Sequence, residues 1–395
     1  MEAQILTPFI LTQLIQPIIS TSSLWESKRL DITLIANPAA GGFTRKKVSS
    51  SNLKVLKEVS LKSRMLPNKS SVVRIKLDET KKPGQATEIV HHLLERISKS
   101  KTTDMNYLVI TAGGDGTHLE AQTAIAKFSF RSKENANLVK NKLTILRLPF
   151  GTGNDGSDGR EFSDTLKLLT EPAHFEIQKA IKVWYEGKEP NDAKTTRKKK
   201  TYDTLEVNAP WYAFNIASIG IDAFITYMTN KTKKIFPGDS YQMWVDLACI
   251  FYNLKFPAKP LTVELFDEHN KLIGSAETAI EFVLLGVSGF RTYGSNHKIL
   301  PDTRNFCLAQ KIGLFTKLKS KSQFNDGSHV KNKFCILGNA NKIKITYNQD
   351  ILVQMDGEVH LLQPSYYPLY MQVTEPVIPV IVADDSTINK GTVLI

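Results

Sequence analysis

Of the chain's 395 residues, 42% are hydrophobic and 23% charged, a globular balance that supplies apolar material for two domains with sizeable cores. The three cysteines, Cys249, Cys307 and Cys335, are scattered through apolar surroundings, which excludes a disulfide scaffold and a paired-cysteine metal site and points to a reducing compartment. Lys and Arg outnumber Asp and Glu by 51 to 39, and the resulting +12 suits an anionic partner: nucleotide, nucleic acid or acidic lipid surface.

The first twenty residues are apolar but carry Glu2, lack a basic start and a small-residue cleavage site, and are interrupted by Pro8, Gln13, Gln16 and Pro17. They read neither as a secretory signal nor as a membrane span. A packed N-terminal extension and a shallow membrane-contact helix are the alternatives. Asp31 to Asn37 is an apolar-rich strand that runs into Pro38-Ala-Ala-Gly41-Gly42, and Val48, Val55, Leu56 and Val59 follow at helical spacing. Val72 to Ile75 is a further strand. Beyond Thr80 and Pro83-Gly84, the residues Ala86, Ile89, Val90, Leu93, Leu94 and Ile97 form one face of an amphipathic helix.

Leu108-Val-Ile110 is a continuous apolar run, the mark of a strand buried on both faces, and it stops at Gly113-Gly114-Asp115-Gly116-Thr117. Three glycines in four positions let a ligand approach the backbone, and a helix after them points N–H groups and its positive end at a phosphate. Asp115 would repel that phosphate unless a cation bridges the two, which suggests Mg²⁺ with a nucleotide. A tight turn between buried elements is the plainer reading of the same glycines. Leu143 to Leu148 is the next strand and leads into Pro149-Phe-Gly151-Thr152-Gly153-Asn154-Asp155. Strands alternating with helices predict a parallel sheet whose carboxyl ends carry the glycine loops.

After a short helix around 164–170 the texture becomes strands and turns: Ala180–Trp184, Tyr212–Gly220, Leu261–Phe266, Ile280–Val287, Lys342–Thr346, Ile351–Met355 and Tyr370–Val373, with one helical stretch at Tyr241–Tyr252. This predicts an antiparallel β-sandwich. Two basic inserts, one with Arg197-Lys-Lys-Lys200 and one from Lys317 to Lys333, read as solvated loops, with contact to a membrane or nucleic acid as the sharper reading.

Five stretches together resemble the diacylglycerol kinase catalytic family, which includes sphingosine kinases and bacterial lipid kinases. They are Asn37-Pro38-Ala-Ala-Gly41-Gly42, the Gly113–Thr117 turn, Leu148 to Asp155, Phe214-Asn215-Ile-Ala-Ser218-Ile-Gly220-Ile-Asp222-Ala223, and Met355-Asp356-Gly357-Glu358. The last is weak alone, since Asp-Gly is a common hairpin turn. The resemblance implies a nucleotide-binding α/β domain like that of NAD kinases, a β-sandwich domain, and an active site in the cleft between them. The expected divisions are an extension over 1–30, the α/β domain over 31–158, the sandwich over 159–365 and a returning segment over 366–395.

The same resemblance implies ATP and Mg²⁺. Asn37, Pro38, Gly41, Gly42, Thr80, Gly113, Gly114, Gly116, Thr117, Glu120, Gly151, Thr152 and Asn154 would hold the nucleotide, and Asp115 the metal. Thr80 also fits a helix N-cap region. A lipid hydroxyl needs a base; Glu358 is the first candidate, with Asp115 and Asp356 behind it. His91, His92, His118 and His297 read as surface or helix residues without a catalytic part. The expected partners are a lipid alcohol, diacylglycerol first, and an anionic membrane surface met peripherally by a cytoplasmic protein. No nucleic acid is expected, and a homodimer stays open.

Departures from the family pattern are Leu119 before Glu120, Gly156-Ser157-Asp158 after the third loop, and the loss of an acidic pair near Pro301 that would hold a structural Mg²⁺. An NAD-kinase-like enzyme, a sphingosine or other lipid-alcohol kinase, and a nucleotide- or lipid-binding protein without turnover are the rival readings.

Overall fold

The computed structural model describes residues 5–100, 104–129, 132–151, 153–187, 210–232, 240–294 and 297–384. Contacts divide the chain into two units, one running to Lys179 and resuming at Pro376, the other spanning Ala180–Glu375.

The N-terminal stretch takes the packed form. Helix α1 (Pro8–Thr21) begins where Thr7 Oγ1 accepts the Ile10 amide at 3.2 Å and Pro8 fills a position that needs no N–H. Its Leu11, Ile15, Ile18 and Ile19 are fully buried in the core of the first unit, and the Leu6 amide donates to buried Ser49 Oγ at 2.8 Å. Then come β1 (Arg29–Ala36), α2 (Gly41–Thr44), α3 (Lys46–Arg64), β2 (Ser71–Glu79), α4 (Gln85–Lys99), β3 (Met105–Gly113), α5 (Asp115–Lys127), α6 (Lys133–Lys142) and β4 (Leu143–Pro149). The four strands form a parallel sheet in the order β2-β1-β3-β4. The apolar runs of β3 and β4 are buried almost throughout, as strands covered on both faces must be. Register sets Ala36, Glu79, Ala112 and Leu148 level with one another, so the loops that follow them share one edge of the sheet.

The first unit does not end at residue 158. Helix α7 (Phe162–Thr170) drives Phe162, Leu166, Leu168 and Leu169 into the same core, and β5 (Ala173–Gln178) stays with it.

The second unit holds β6 (Ile181–Tyr185), β7 (Trp211–Ala213), β8 (Ile216–Gly220), α8 (Ile221–Thr232), α9 (Ser240–Lys255), β9 (Pro260–Phe266), β10 (Leu272–Gly286), β11 (Arg291–Tyr293), β12 (His297–Leu300), β13 (Phe306–Gln310), α10 (Leu314–Asp326), β14 (Cys335–Gly338), β15 (Lys342–Thr346), β16 (Ile351–Met355), β17 (Glu358–Leu362) and β18 (Leu369–Val373). Eleven of the described strands make one antiparallel sheet. Its hinge is the 15-residue β10: the first half pairs with β9, the second with β8 and β13. The sheet therefore curls into two layers that share a strand, over a core built from both, with Val263, Ile343 and Met371 against Ile219, Val283 and Val353. After β18 the chain returns as β19 (Ile378–Ala383), which pairs with β5 and packs beside β4. The return thus begins after β18, later than residue 366.

The insert from Lys317 to Lys333 is not a solvated loop. It lies largely in α10, and Lys317 is buried 2.7 Å from Glu281 of β10. The run 197–200 lies outside the described residues. The described cysteines are all free, and no helix among the described residues is long and apolar enough to cross a membrane.

Candidate functional site

The loops after β1, β3 and β4 are knitted by backbone bonds. The Asn37 amide donates to Ala112 O at 2.9 Å, the Gly42 amide to Phe150 O at 2.8 Å, and the Phe150 amide to Gly113 O at 3.0 Å. Pro38 sits second in a turn closed by the Ala40 amide on Asn37 O, and Asn37 Oδ1 accepts the Ala39 amide. Glycine is required by contact here. A Cβ on Gly42 would lie 2.3 Å from the Phe150 ring, one on Gly113 2.5 Å from Thr117 Oγ1, and one on Gly151 2.7 Å from Gly114 Cα. Gly41 carries the Arg45 side chain against it, which puts a cation on this loop that the motif reading had passed over.

Gly114 caps α5, so Asp115, Gly116 and Thr117 form the first turn of the helix, where amides point outward and the helix end is positive. Asp115 Oδ1 accepts the Gly156 amide at 2.9 Å; its Oδ2 faces Gly153, where a Cβ would come within 2.9 Å. Asn154 holds a left-handed backbone, φ 57°, and its buried Oδ1 has no hydrogen-bond partner among the described residues. Strain and an orphaned acceptor in one residue are costs that a fold keeps at sites with a task. Thr152 lies outside the described residues.

Two of the expected nucleotide residues make bonds that support the loops. Glu120 spends both carboxylate oxygens on the start of α4, accepting the Gly84 amide at 2.8 Å and the Ala86 amide at 3.1 Å. Thr80 donates its amide to Ala36 O at 2.8 Å, which fixes the end of β2 beside the first loop. Beneath the third loop, buried Arg147 and Asp158 form a multiply bonded ion pair, with the Arg147 amide on Asp158 Oδ2 at 2.6 Å. Gly156-Ser157-Asp158 is thus an anchor of this chain's own. His118 is wholly buried, 2.7 Å from Thr111 Oγ1; burial, then Arg147, pushes its pKa down to about 3, so it is neutral.

In the second unit Asp356 is a clamp. Its carboxylate accepts the amides of Phe214, Asn215 and Ile216, the last at 2.9 Å, and its φ of 46° makes the turn that precedes Glu358. A carboxylate so occupied has little capacity left to take a substrate proton. Glu358, the first residue of β17, is exposed. Below the turn lies a buried network that motif reading missed. Ser218 Oγ donates to Asp222 Oδ2 at 2.5 Å, Gln354 Nε2 donates to the same oxygen at 3.0 Å, and Gln354 Oε1 accepts the Gly357 amide at 3.0 Å. Burial pushes the Asp222 carboxyl above the usual carboxylate range. Gln354 was detectable as the lone polar residue of a fully buried strand.

Asp222 also walls a cavity of about 110 Å³ between α8, α9, α10 and β10. The rest of its lining is mainly apolar, with Ile225, Val245, Phe282 and Phe324, and the Lys317–Glu281 pair at one side. Near Pro301, Asp302 is bound by Arg304 through Nε at 3.0 Å, and this guanidinium holds the carboxyl below its ordinary range. No group of three or more His, Cys, Asp or Glu able to hold a metal occurs among the described residues.

Residues 31–183 match the family model described as the diacylglycerol kinase catalytic domain. Among solved structures, one of a diacylglycerol kinase from Bacillus anthracis str. Sterne aligns at TM-score 0.53 and 16% identity, over 90% of this chain and 97% of that one. Two further structures from that organism, provisionally named diacylglycerol kinases, align at 0.55 and 0.54 with 17% and 18% identity, over 90% of this chain and 97% and 98% of theirs. At such identities the likeness is one of fold. No curated protein matches the sequence.

Proposed function

We propose that the chain is an ATP-dependent lipid kinase that transfers the γ-phosphate to a lipid hydroxyl, diacylglycerol being the expected acceptor, a reading that proceeds from the match of residues 31–183 to the diacylglycerol kinase catalytic domain model. One observation carries the reading: the backbones of Gly114 and Gly151 come so close that Gly151 has no room for a Cβ, and Asp115 and the orphaned Asn154 Oδ1 flank that contact. Two closely packed glycine loops at a helix N-terminus suit a phosphate chain. Gly41, Gly42, Gly113, Gly114, Gly116 and Thr117 would line it, Arg45 would add charge, and Glu120 and Thr80 would keep the loops in place.

Asp115 and Asn154 offer hard oxygen donors, which fits Mg²⁺ held by one carboxylate together with substrate phosphates. Bound there, the ion would spread the charge that develops on the transferred group. At the acceptor, Glu358 would take the hydroxyl proton, since Asp356 is occupied by three amides. The apolar cavity beside Asp222 favours an acceptor with a hydrocarbon body over a dinucleotide.

The test is γ-labelled ATP with Mg²⁺ and a panel of diacylglycerol, a sphingoid base, a polyprenol and NAD. Label in diacylglycerol supports the proposal; label in another lipid replaces the acceptor; label in NAD alone, or none, overturns it.

A further inference from the structure

Helix α9 is apolar on nearly every side, as befits a helix buried all round, yet it lies at the surface. Its inward residues Ala248 and Tyr252 pack with Phe224 of α8, while Ile250, Phe251 and Leu254 face outward, Leu254 77% exposed. Helix α10 repeats the arrangement. Lys317, Ser320 and Phe324 turn toward the cavity, and Leu314, Phe315 and Leu318 face outward, Phe315 88% exposed. Lys321 pairs with Asp246 and joins the two helices. Two neighbouring helices therefore wall one apolar cavity on their inner sides and present bare apolar stripes on their outer sides.

We propose that the outer faces of α9 and α10 dock on an anionic lipid bilayer, an inference that rests on the lipid-kinase reading for its choice of occupant. Charge supports that choice. Lys255 and Lys319 are exposed on these helices, Asp246 is matched by Lys321, and Asp326 lies at the far end of α10. Apolar residues edged by lysine suit insertion at the headgroup boundary of acidic lipid. A hydrocarbon-bodied acceptor resides in such a bilayer, and the helices that wall its cavity are the ones a bilayer should meet.

The experiment is flotation of the full chain with vesicles of equal parts phosphatidylcholine and phosphatidylserine, without ATP or acceptor. The wild type should float. Leu254→Asp with Phe315→Asp should cut partitioning about tenfold or more, and Lys255→Gln and Lys319→Gln about fivefold each, with a shallower salt dependence. Leu272 and Ile273, exposed apolar residues at the start of β10, are the controls, and Leu272→Asp with Ile273→Asp should leave flotation unchanged. Circular-dichroism melting of each variant establishes that it is folded. A wild type that stays unbound, a folded Leu254/Phe315 variant that floats like wild type, or a dimer in sedimentation that this variant dissolves would each overturn the proposal, the last assigning the face to a second copy. Phosphorylation of detergent-dispersed lipid without flotation would sink this inference alone. Flotation without kinase activity would sink the functional proposal alone.

Discussion

Gln354 Nε2 lies 3.0 Å from Asp222 Oδ2, while its other amide atom, Oε1, receives the Gly357 amide at 3.0 Å. One buried side chain thus ties a carboxyl in the wall of the apolar cavity to the turn that carries Glu358.

The raised pKa of Asp222 has a stability consequence. In the folded chain it keeps its proton over a range where the unfolded chain has released it. The stability it contributes is present below the ordinary carboxylate value, about pH 4, and is lost as pH rises through the higher folded value. Asp222→Asn keeps an acceptor for Ser218 and Gln354 and cannot ionise. Its melting temperature should gain on wild type as pH rises across that window. A difference independent of pH would mean that the carboxyl is not neutral in the fold.

His118 acts in the opposite direction. Its pKa falls from 6.5 to about 3 on folding, so the unfolded state binds the proton first and stability is lost as pH drops below 6.5. At pH 5 the loss from this residue should be about 2 kcal/mol. His118→Gln cannot titrate, and urea midpoints measured from neutral pH down to pH 5 should fall less steeply than in wild type. Parallel slopes would place the acid sensitivity elsewhere.

Gly151→Ala tests the contact between the glycine loops. The new methyl would lie 2.7 Å from Gly114 Cα and 3.0 Å from Asn154 Oδ1, so one loop must move. Calorimetric affinity for Mg·ATP should fall at least tenfold, with a stability cost of about 1–3 kcal/mol, the usual range for overpacking. Unchanged affinity would show that the Gly114–Gly151 approach does not shape the nucleotide site.

Asp356→Ala removes the acceptor of three backbone amides, 140 or more positions away in sequence. Amides left without partners cost about 1–3 kcal/mol each when buried, so chemical denaturation should show a marked loss. A variant as stable as wild type would mean that the clamp carries little.

The parts of the fold legible in the sequence are those fixed locally. Leu108-Val-Ile110 followed by glycines announced a buried strand and a close backbone approach, and the structure shows both. What stayed hidden depends on partners far along the chain. Helix α10 was obscured because Lys317, Lys319 and Lys321 read as a solvated run, and the partner of buried Lys317 is Glu281, a residue of β10 more than thirty positions earlier. The sequence offers Asp356 as a candidate base and Glu120 as a nucleotide residue because motif spacing shows where a carboxylate stands, not which amides already occupy it. The boundary at Lys179 was missed because α7 keeps its apolar face on the first core, and β5 finds its partner only in β19, about two hundred residues later.

The most direct measurement is the rate of label transfer from γ-labelled ATP to diacylglycerol by wild type, Glu358→Gln and Asp115→Asn, alongside each variant's affinity for Mg·ATP. Glu358→Gln keeps its size and hydrogen bonding but cannot accept a proton. The rate should fall about 10²–10⁴-fold with nucleotide affinity nearly unchanged. Asp115→Asn should lose both rate and Mg·ATP affinity, because its carboxylate is the proposed link between metal and phosphate. Near-normal transfer by Glu358→Gln, or undiminished Mg·ATP binding by Asp115→Asn, would contradict the roles assigned to these two residues.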